Sequence, residues 1–83
     1  MLTKDITIEI SDANLNGTIT FFIRKANEFN CQVDVIHDNA RVNAKSLLGM
    51  ISMGLHTGSQ ITITADGPDE GACLDALCQL LGK

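Results

Sequence analysis

Apolar residues recur along the chain with two periods, two and three-to-four, and the switches between them divide it into seven elements. Residues 4–10 alternate strictly. Ile6, Ile8 and Ile10 point one way and Thr7 and Glu9 the other, as in a strand with one buried face. Ser11-Asp12-Ala13-Asn14 is turn-rich and ends that strand. Over 16–29 the apolar positions are Ile19, Phe22, Ile23, Ala26 and Phe29. Those steps make one face of an amphipathic helix, with Arg24, Lys25 and Glu28 on or near the other. Asn16 or Thr18 is placed to cap its start, since either side chain can accept from a free backbone N–H. Residues 31–37 alternate again, with Cys31, Val33 and Val35 on one side. Asp38-Asn39 is a turn signal, and Ala40–Asn43 is a short return strand, so the pair reads as a hairpin.

Helical character resumes near Ser46, with Leu47, Leu48, Met50 and Ile51 apolar, and Gly54 and Gly58 bracket the exit. Residues 60–66 form an alternating strand. Asp66-Gly67-Pro68-Asp69-Glu70 then reads as a helix start, with proline in the first turn and acids near the positive end of the dipole. The last helix places Cys73, Leu74, Leu77, Leu80 and Leu81 inward. The order β-α-β-β-α-β-α predicts an α+β fold: a four-stranded antiparallel sheet with three helices on one face. The other face, lined by Thr and charged residues, is left to water. Residues 1–83 make a single domain with no linker or repeat.

Composition narrows the chemistry. The 83 residues are 45% apolar with no Trp or Tyr, so Ile, Leu, Val, Ala and Met must build most of the core. A formal net charge of −4, with no basic run longer than Arg24-Lys25, argues against nucleic acid, whose binding needs Lys and Arg to displace counterions. No apolar run approaches the roughly 20 residues that span a bilayer, and Met-Leu-Thr-Lys-Asp lacks the apolar stretch of a signal peptide. A cytoplasmic location is expected. Cys31, Cys73 and Cys78 are odd in number and lack C-x-x-C spacing. They read as small buried hydrophobes, and Cys73 and Cys78 do not share a helix face. His37 and His56 have no Cys or His at metal-ligand spacing, so neither metal nor cofactor is expected.

Three separated segments carry a resemblance: Lys25-Ala-Asn-Glu-Phe29, the stretch from Arg41 through Leu55, and Ile61-Thr-Ile-Thr-Ala-Asp-Gly-Pro-Asp-Glu70. In order and spacing they resemble the HPr phosphocarriers of the bacterial phosphoenolpyruvate-dependent sugar phosphotransferase system. The resemblance implies the family's open-faced β-sandwich. The family's carriers have a Gly-Leu-His-x-Arg-Pro motif where the first strand's loop meets the first helix. Here that region reads Asp12-Ala-Asn-Leu-Asn-Gly-Thr-Ile-Thr20. The histidine position falls at Leu15 without gaps, or at Asn16 when the Leu is matched. Gly17 and Thr18 stand at the Arg-Pro pair.

The chemistry makes that loss serious. A carrier needs a nucleophile that is neutral near pH 7 and donors for the transferred phosphoryl. Leu cannot be phosphorylated, the Asn amide is no such nucleophile, and Gly17 cannot replace a guanidinium. The backbone N–H groups of residues 17–20 remain as either a weak anion cradle or an ordinary helix start. His56, in Gly54-Leu-His-Thr57, imitates the missing motif. It follows a helix and precedes a strand, so it is not expected at a helix N-terminus. His37 lies at a strand end.

Ser46 falls at the family's regulatory position. In Gram-positive relatives an ATP-dependent serine kinase/phosphorylase acts there, and the phosphorylated form binds a transcription regulator of carbon-catabolite control. Those partners are what the resemblance implies. A phosphate on Ser46 at the head of a short helix gains N–H donors and the dipole, about 0.3–1 kcal/mol when exposed. The plain alternative is an N-cap serine. Leu47, Leu48 and Ile51 are too many for a two-turn helix to bury. They are expected to dock a partner together with Lys45, and Lys45 and Arg41 to offset phosphate charge.

Three functions stay open: a regulatory, non-carrier HPr-like protein working by protein binding; a divergent phosphocarrier; and a small protein- or ligand-binding domain with no phosphate role. No clustered acid, base and nucleophile suggests turnover of its own. The chain is expected to be a monomer or weak dimer, since only an edge strand offers self-pairing.

Overall fold

The computed structural model describes residues 1–82. Its elements run β1 (Leu2–Thr7), α1 (Asp12–Asn27), β2 (Gln32–His37), β3 (Ala40–Asn43), α2 (Leu47–Ser52), β4 (Gln60–Asp66) and α3 (Glu70–Leu81). The sheet order is β1-β4-β2-β3, and every pairing is antiparallel. Val33, Val35, Ile61, Ile63 and Ala65 lie on its covered face and are all buried. Above them sit Leu15, Ile19, Phe22, Ile23 and Ala26 of α1, Met50 of α2, and Cys73, Leu74, Leu77, Cys78 and Leu81 of α3. The expected α+β architecture is the one observed.

The boundaries moved where local polarity misled. β1 begins at Leu2 and ends at Thr7, not at 4 and 10. Ile8 still points inward, but its N–H bonds Ser59 O at 2.9 Å and the Glu9 N–H bonds Leu81 O at 2.9 Å, outside the ladder with β4. α1 begins at Asp12, four residues before the expected 16, because Leu15 extends the inward stripe back one turn. Ser11, in extended conformation, is its N-cap in place of Asn16 or Thr18. Pro68 lies ahead of α3 rather than in its first turn, and Asp69 takes the cap position. Leu80 is only half-buried, while Cys78 is buried. α3 meets β1, β4 and α1, so its inward face is wider than one stripe.

Tight approaches set two joins. Asp38 and Asn39 take φ of 49° and 68°, the two left-handed residues of a type I′ hairpin turn, which these side chains tolerate. Gly67 has φ of 148°, and a Cβ there would lie 2.8 Å from Cys31 Cα, so only glycine lets the β4–α3 turn cross the entrance to β2.

On the other face Asp5, Thr62, Ile36 and Arg41 form one cross-strand row. Its centre is less wet than alternation suggested, for Asp34 and Thr64 are buried there. The Arg41 Nε and Nη2 both donate to Asp34 Oδ2, at 3.0 and 2.8 Å, which satisfies the carboxylate as burial requires.

Candidate functional site

Ser46 is the N-cap of α2. Its backbone is extended (φ −105°, ψ 118°), and its Oγ accepts from the Gly49 N–H at 3.2 Å. The preceding turn is held by Asn43, whose Oδ1 accepts from Lys45 N–H at 2.8 Å and whose carbonyl accepts from Ser46 N–H at 3.0 Å. Gly49 lets α2 lie against β3, since a Cβ there would come within 3.3 Å of Val42 Cβ. One side chain, Met50, anchors the helix in the core at 0% exposed. Leu47, Leu48 and Ile51 are 50%, 80% and 61% exposed. All three face solvent, so the sequence expectation that some must is met by the whole set. From Ser46 through Leu55 no residue is charged, so this apolar surface has no charged side chain of its own helix to screen it.

The expected charge partners of Ser46 are engaged elsewhere. Arg41 is on the open sheet face with Asp34. Lys45 reaches back to the end of α1, where its Nζ donates to Phe29 O at 3.1 Å. A buried carboxylate at Asp34 and a partly buried carbonyl at Phe29 hold these cations, which the one-dimensional proximity to Ser46 did not show.

The histidine position is changed in structure as well as in residue. Leu15 is 3% exposed and lies in the second turn of α1, part of the core. Asn16 is exposed, and its carbonyl accepts from Thr20 Oγ1 at 3.1 Å. The N–H groups of residues 17–20, expected to be either a weak anion cradle or an ordinary helix start, are inside the helix, where i→i−4 bonding uses them. The start of α1 meets the loop after α2 instead. Asp12 Oδ1 accepts from Thr57 N–H at 2.8 Å and lies 3.0 Å from Thr57 Oγ1. That hydroxyl also lies 2.6 Å from Ile10 O, and Gly58 N–H donates to Ile8 O at 2.9 Å. Thr57, beside His56 in the loop after α2, therefore reaches the α1 N-terminus and bonds the Asp12 carboxylate there. The imidazole Nδ1 of His56 is 3.1 Å from Thr57 O, to which it donates. His37 Nδ1, at the turn end of β2, is 3.0 Å from Gln60 O at the start of β4.

The Thr57 amide and hydroxyl, with a smaller contribution from His56, hold the Asp12 carboxyl below the usual carboxylate range. The folded protein thus binds this proton more weakly than the unfolded chain. The contact stabilises the fold above the unfolded pKa of about 3.9 and loses that effect as pH falls through the lower, folded value. Asp12→Asn is expected to lower Tm near neutrality and to converge with wild type only once pH has fallen below the lowered, folded value. Tm measured across pH for both proteins checks this. Glu70, lowered in the same sense by its bond from Gly67 N–H, titrates in both proteins and cancels in the comparison.

Comparison with known proteins bears on the family and the fold. The family model described as "PTS HPr component phosphorylation site" matches residues 3–83. HPr-like protein Crh of Halalkalibacterium halodurans is 29% identical over 83 residues, covering 100% of this chain and 99% of that one. HPr-like protein Crh of Bacillus subtilis is 39% identical over 77 residues, covering 93% and 91%. The crystal structure of HPr-C-His from Thermoanaerobacter tengcongensis superposes with a TM-score of 0.92 at 32% identity, over 98% of this chain and 91% of that one. With its sheet order, its α2 and the segments around Lys25, Ser46 and Asp66 all in place, the chain belongs to the HPr family, as a divergent, Crh-like member whose first helix starts without a histidine.

Proposed function

We propose that this protein is a regulatory HPr-like protein of the sugar phosphotransferase system and carbon catabolite control. It acts by binding other proteins, is switched by phosphorylation at Ser46, and takes no part in histidine phosphotransfer. One observation carries the reading: the Ser46 cap and the exposed Leu47, Leu48 and Ile51 stand together, while the histidine position is a buried leucine in a helix. The Bacillus subtilis relative is described as the catabolite repression HPr, which supports it. The partners by this reading are a serine kinase/phosphorylase and a transcription regulator, and the work is done in the cytoplasm without catalysis by this chain. Among the described residues no helix is long and apolar enough to cross a membrane.

The chemistry of the switch follows from the local contacts. A phosphoryl group on Ser46 Oγ adds close to two negative charges. With Arg41 and Lys45 engaged, the chain does little to neutralise them. The charge is offered outward beside an apolar surface, and a matching partner has a greasy pocket rimmed by Lys or Arg.

Incubation with the serine kinase and ATP, followed by phosphopeptide mapping, tests this. Label is expected on Ser46 and absent from Ser46→Ala, which also loses a cap worth about 0.5–2 kcal/mol. Retention of full labelling in Ser46→Ala contradicts the assignment.

A further inference from the structure

α2 is six residues long, too short to stay helical in water on its own propensity. It packs chiefly on β3 and α1, and Met50 alone anchors it in the core. The place of Ser46 at its head is therefore set by what ties down the turn before it. Ala44 is fully buried, and its N–H donates to Val33 O at 2.9 Å, which carries the sheet pairing one step past β3. Asn43 takes the Lys45 N–H on its Oδ1 and the Ser46 N–H on its carbonyl. Lys45 ties the turn to a different helix. Its Nζ donates to Phe29 O at 3.1 Å, and its own carbonyl accepts a long bond from Asn27 Nδ2 at 3.4 Å.

We propose that Lys45 is a positioning residue for Ser46: its side chain is a strut that fixes the serine's turn to the carbonyl end of α1, and phosphorylation at Ser46 is fast only while the strut holds. The inference rests on the role proposed for Ser46 and deepens it. A cation suits this place. Glu28 caps α1 and Phe29 follows it. Carbonyls at and just past a helix end lack partners within the helix, and the dipole is negative there, so an ammonium gains both a bond and a charge interaction. Among the described residues Lys45 forms no ion pair with a carboxylate, so the carbonyl is its fixed partner.

The chemistry at Ser46 depends on placement. Ser46 Oγ attacks the γ-phosphorus of ATP, the Oγ–P bond forms, the bond to the ADP oxygen breaks, and the hydroxyl proton passes to the kinase's base. The protein substrate contributes only the position of its oxygen, and a misplacement of about 1 Å costs such a reaction roughly 100-fold. A serine whose turn has lost a tie spends less time where the kinase needs it.

The test compares wild type with Lys45→Met, which keeps the apolar stem and removes the ammonium, and with Lys45→Arg, which keeps a charged donor. All are studied well below their Tm. Amide hydrogen exchange by NMR, with no kinase present, reads the strut. In Lys45→Met the Ser46 and Gly49 amides are expected to exchange about 3–10-fold faster after correction for intrinsic rates, the factor that one lost hydrogen bond gives. Lys25→Met, which removes a cation of the last turn of α1 that pairs with Glu28 instead, leaves both amides as in wild type. Initial rates of Ser46 labelling by the serine kinase and ATP read the consequence. A fall in kcat/KM of about 10-fold is expected in Lys45→Met, with most of the loss restored in Lys45→Arg. Unchanged exchange in Lys45→Met overturns the proposal even where labelling falls, because Lys45 is then a contact for the kinase. Faster exchange with labelling at the wild-type rate overturns it too. Wild type that takes no label defeats the reading of Ser46 itself, and the exchange result tells that failure apart from failure of the strut.

Discussion

Leu15→His is expected to unfold much of the protein and to leave what remains unable to accept a phosphoryl group. The substitution puts the family's nucleophile at the matching position in the chain, so naive reasoning predicts a restored carrier. The structure predicts otherwise, because Leu15 is 3% exposed and packs in the core with Ile19 and Phe22. Removing a buried leucine costs about 2–5 kcal/mol, and burying an imidazole without partners adds about 1–3 kcal/mol. Against a total stability of roughly 5–15 kcal/mol, that is a large share. Each kcal/mol lowers Tm by about 4–8 °C in a domain this small, so a fall of roughly 10 °C or more is expected. Thermal unfolding and phosphoenolpyruvate labelling of the same sample check both halves. A variant as stable as wild type that takes label would mean that α1 starts later and that position 15 is on the surface.

The second large effect is at the other end of the site. Leu48→Asp is expected to weaken binding of the proposed catabolite-control regulator by about 30-fold or more and to leave Tm nearly unchanged. Leu48 is 80% exposed, so its side chain contributes little to the fold, and a substitution on such a surface changes stability by within about 0.5 kcal/mol. By the proposed reading, the same side chain anchors a complex from the centre of an apolar patch with Leu47 and Ile51. Loss of such an anchor typically costs roughly 2 kcal/mol or more, a Kd weaker by about 30-fold. The introduced carboxylate adds like-charge repulsion with a phosphate on Ser46. Titration of the regulator with Ser46-phosphorylated protein, wild type and variant, reads the change. Unaltered affinity would remove the patch from the interface.

Most of the fold was legible because its signals are local. Ile61, Ile63 and Ala65 alternate with polar neighbours, and the structure buries that face of β4. Asp38-Asn39 announced its turn through side chains that tolerate left-handed backbone. Ser46 as a cap followed from its place at the head of α2, whereas counting predicted only that some of Leu47, Leu48 and Ile51 face solvent and others pack in the core, and the structure exposes all three. What the sequence hid depends on contacts far apart in the chain. Ser11 to Asn14 are residues that favour turns and helix starts alike. The choice was made by Leu15, which finds a place in the core, and by Thr57, which meets Asp12 across 45 positions. Arg41 and Lys45 looked available because Ser46 is near in sequence. Their true acceptors, Asp34 on a neighbouring strand and Phe29 at the end of α1, became visible only with strand register and helix packing.

The most direct measurement is transfer of label from phosphoenolpyruvate by the first enzyme of the phosphotransferase system, with ATP and the serine kinase in a parallel incubation. A regulatory member that has left the transfer chain takes label from ATP on Ser46 and none from phosphoenolpyruvate. Acid-labile label from phosphoenolpyruvate on His56, whose loop touches the start of α1, or on His37 would contradict that and restore a carrier.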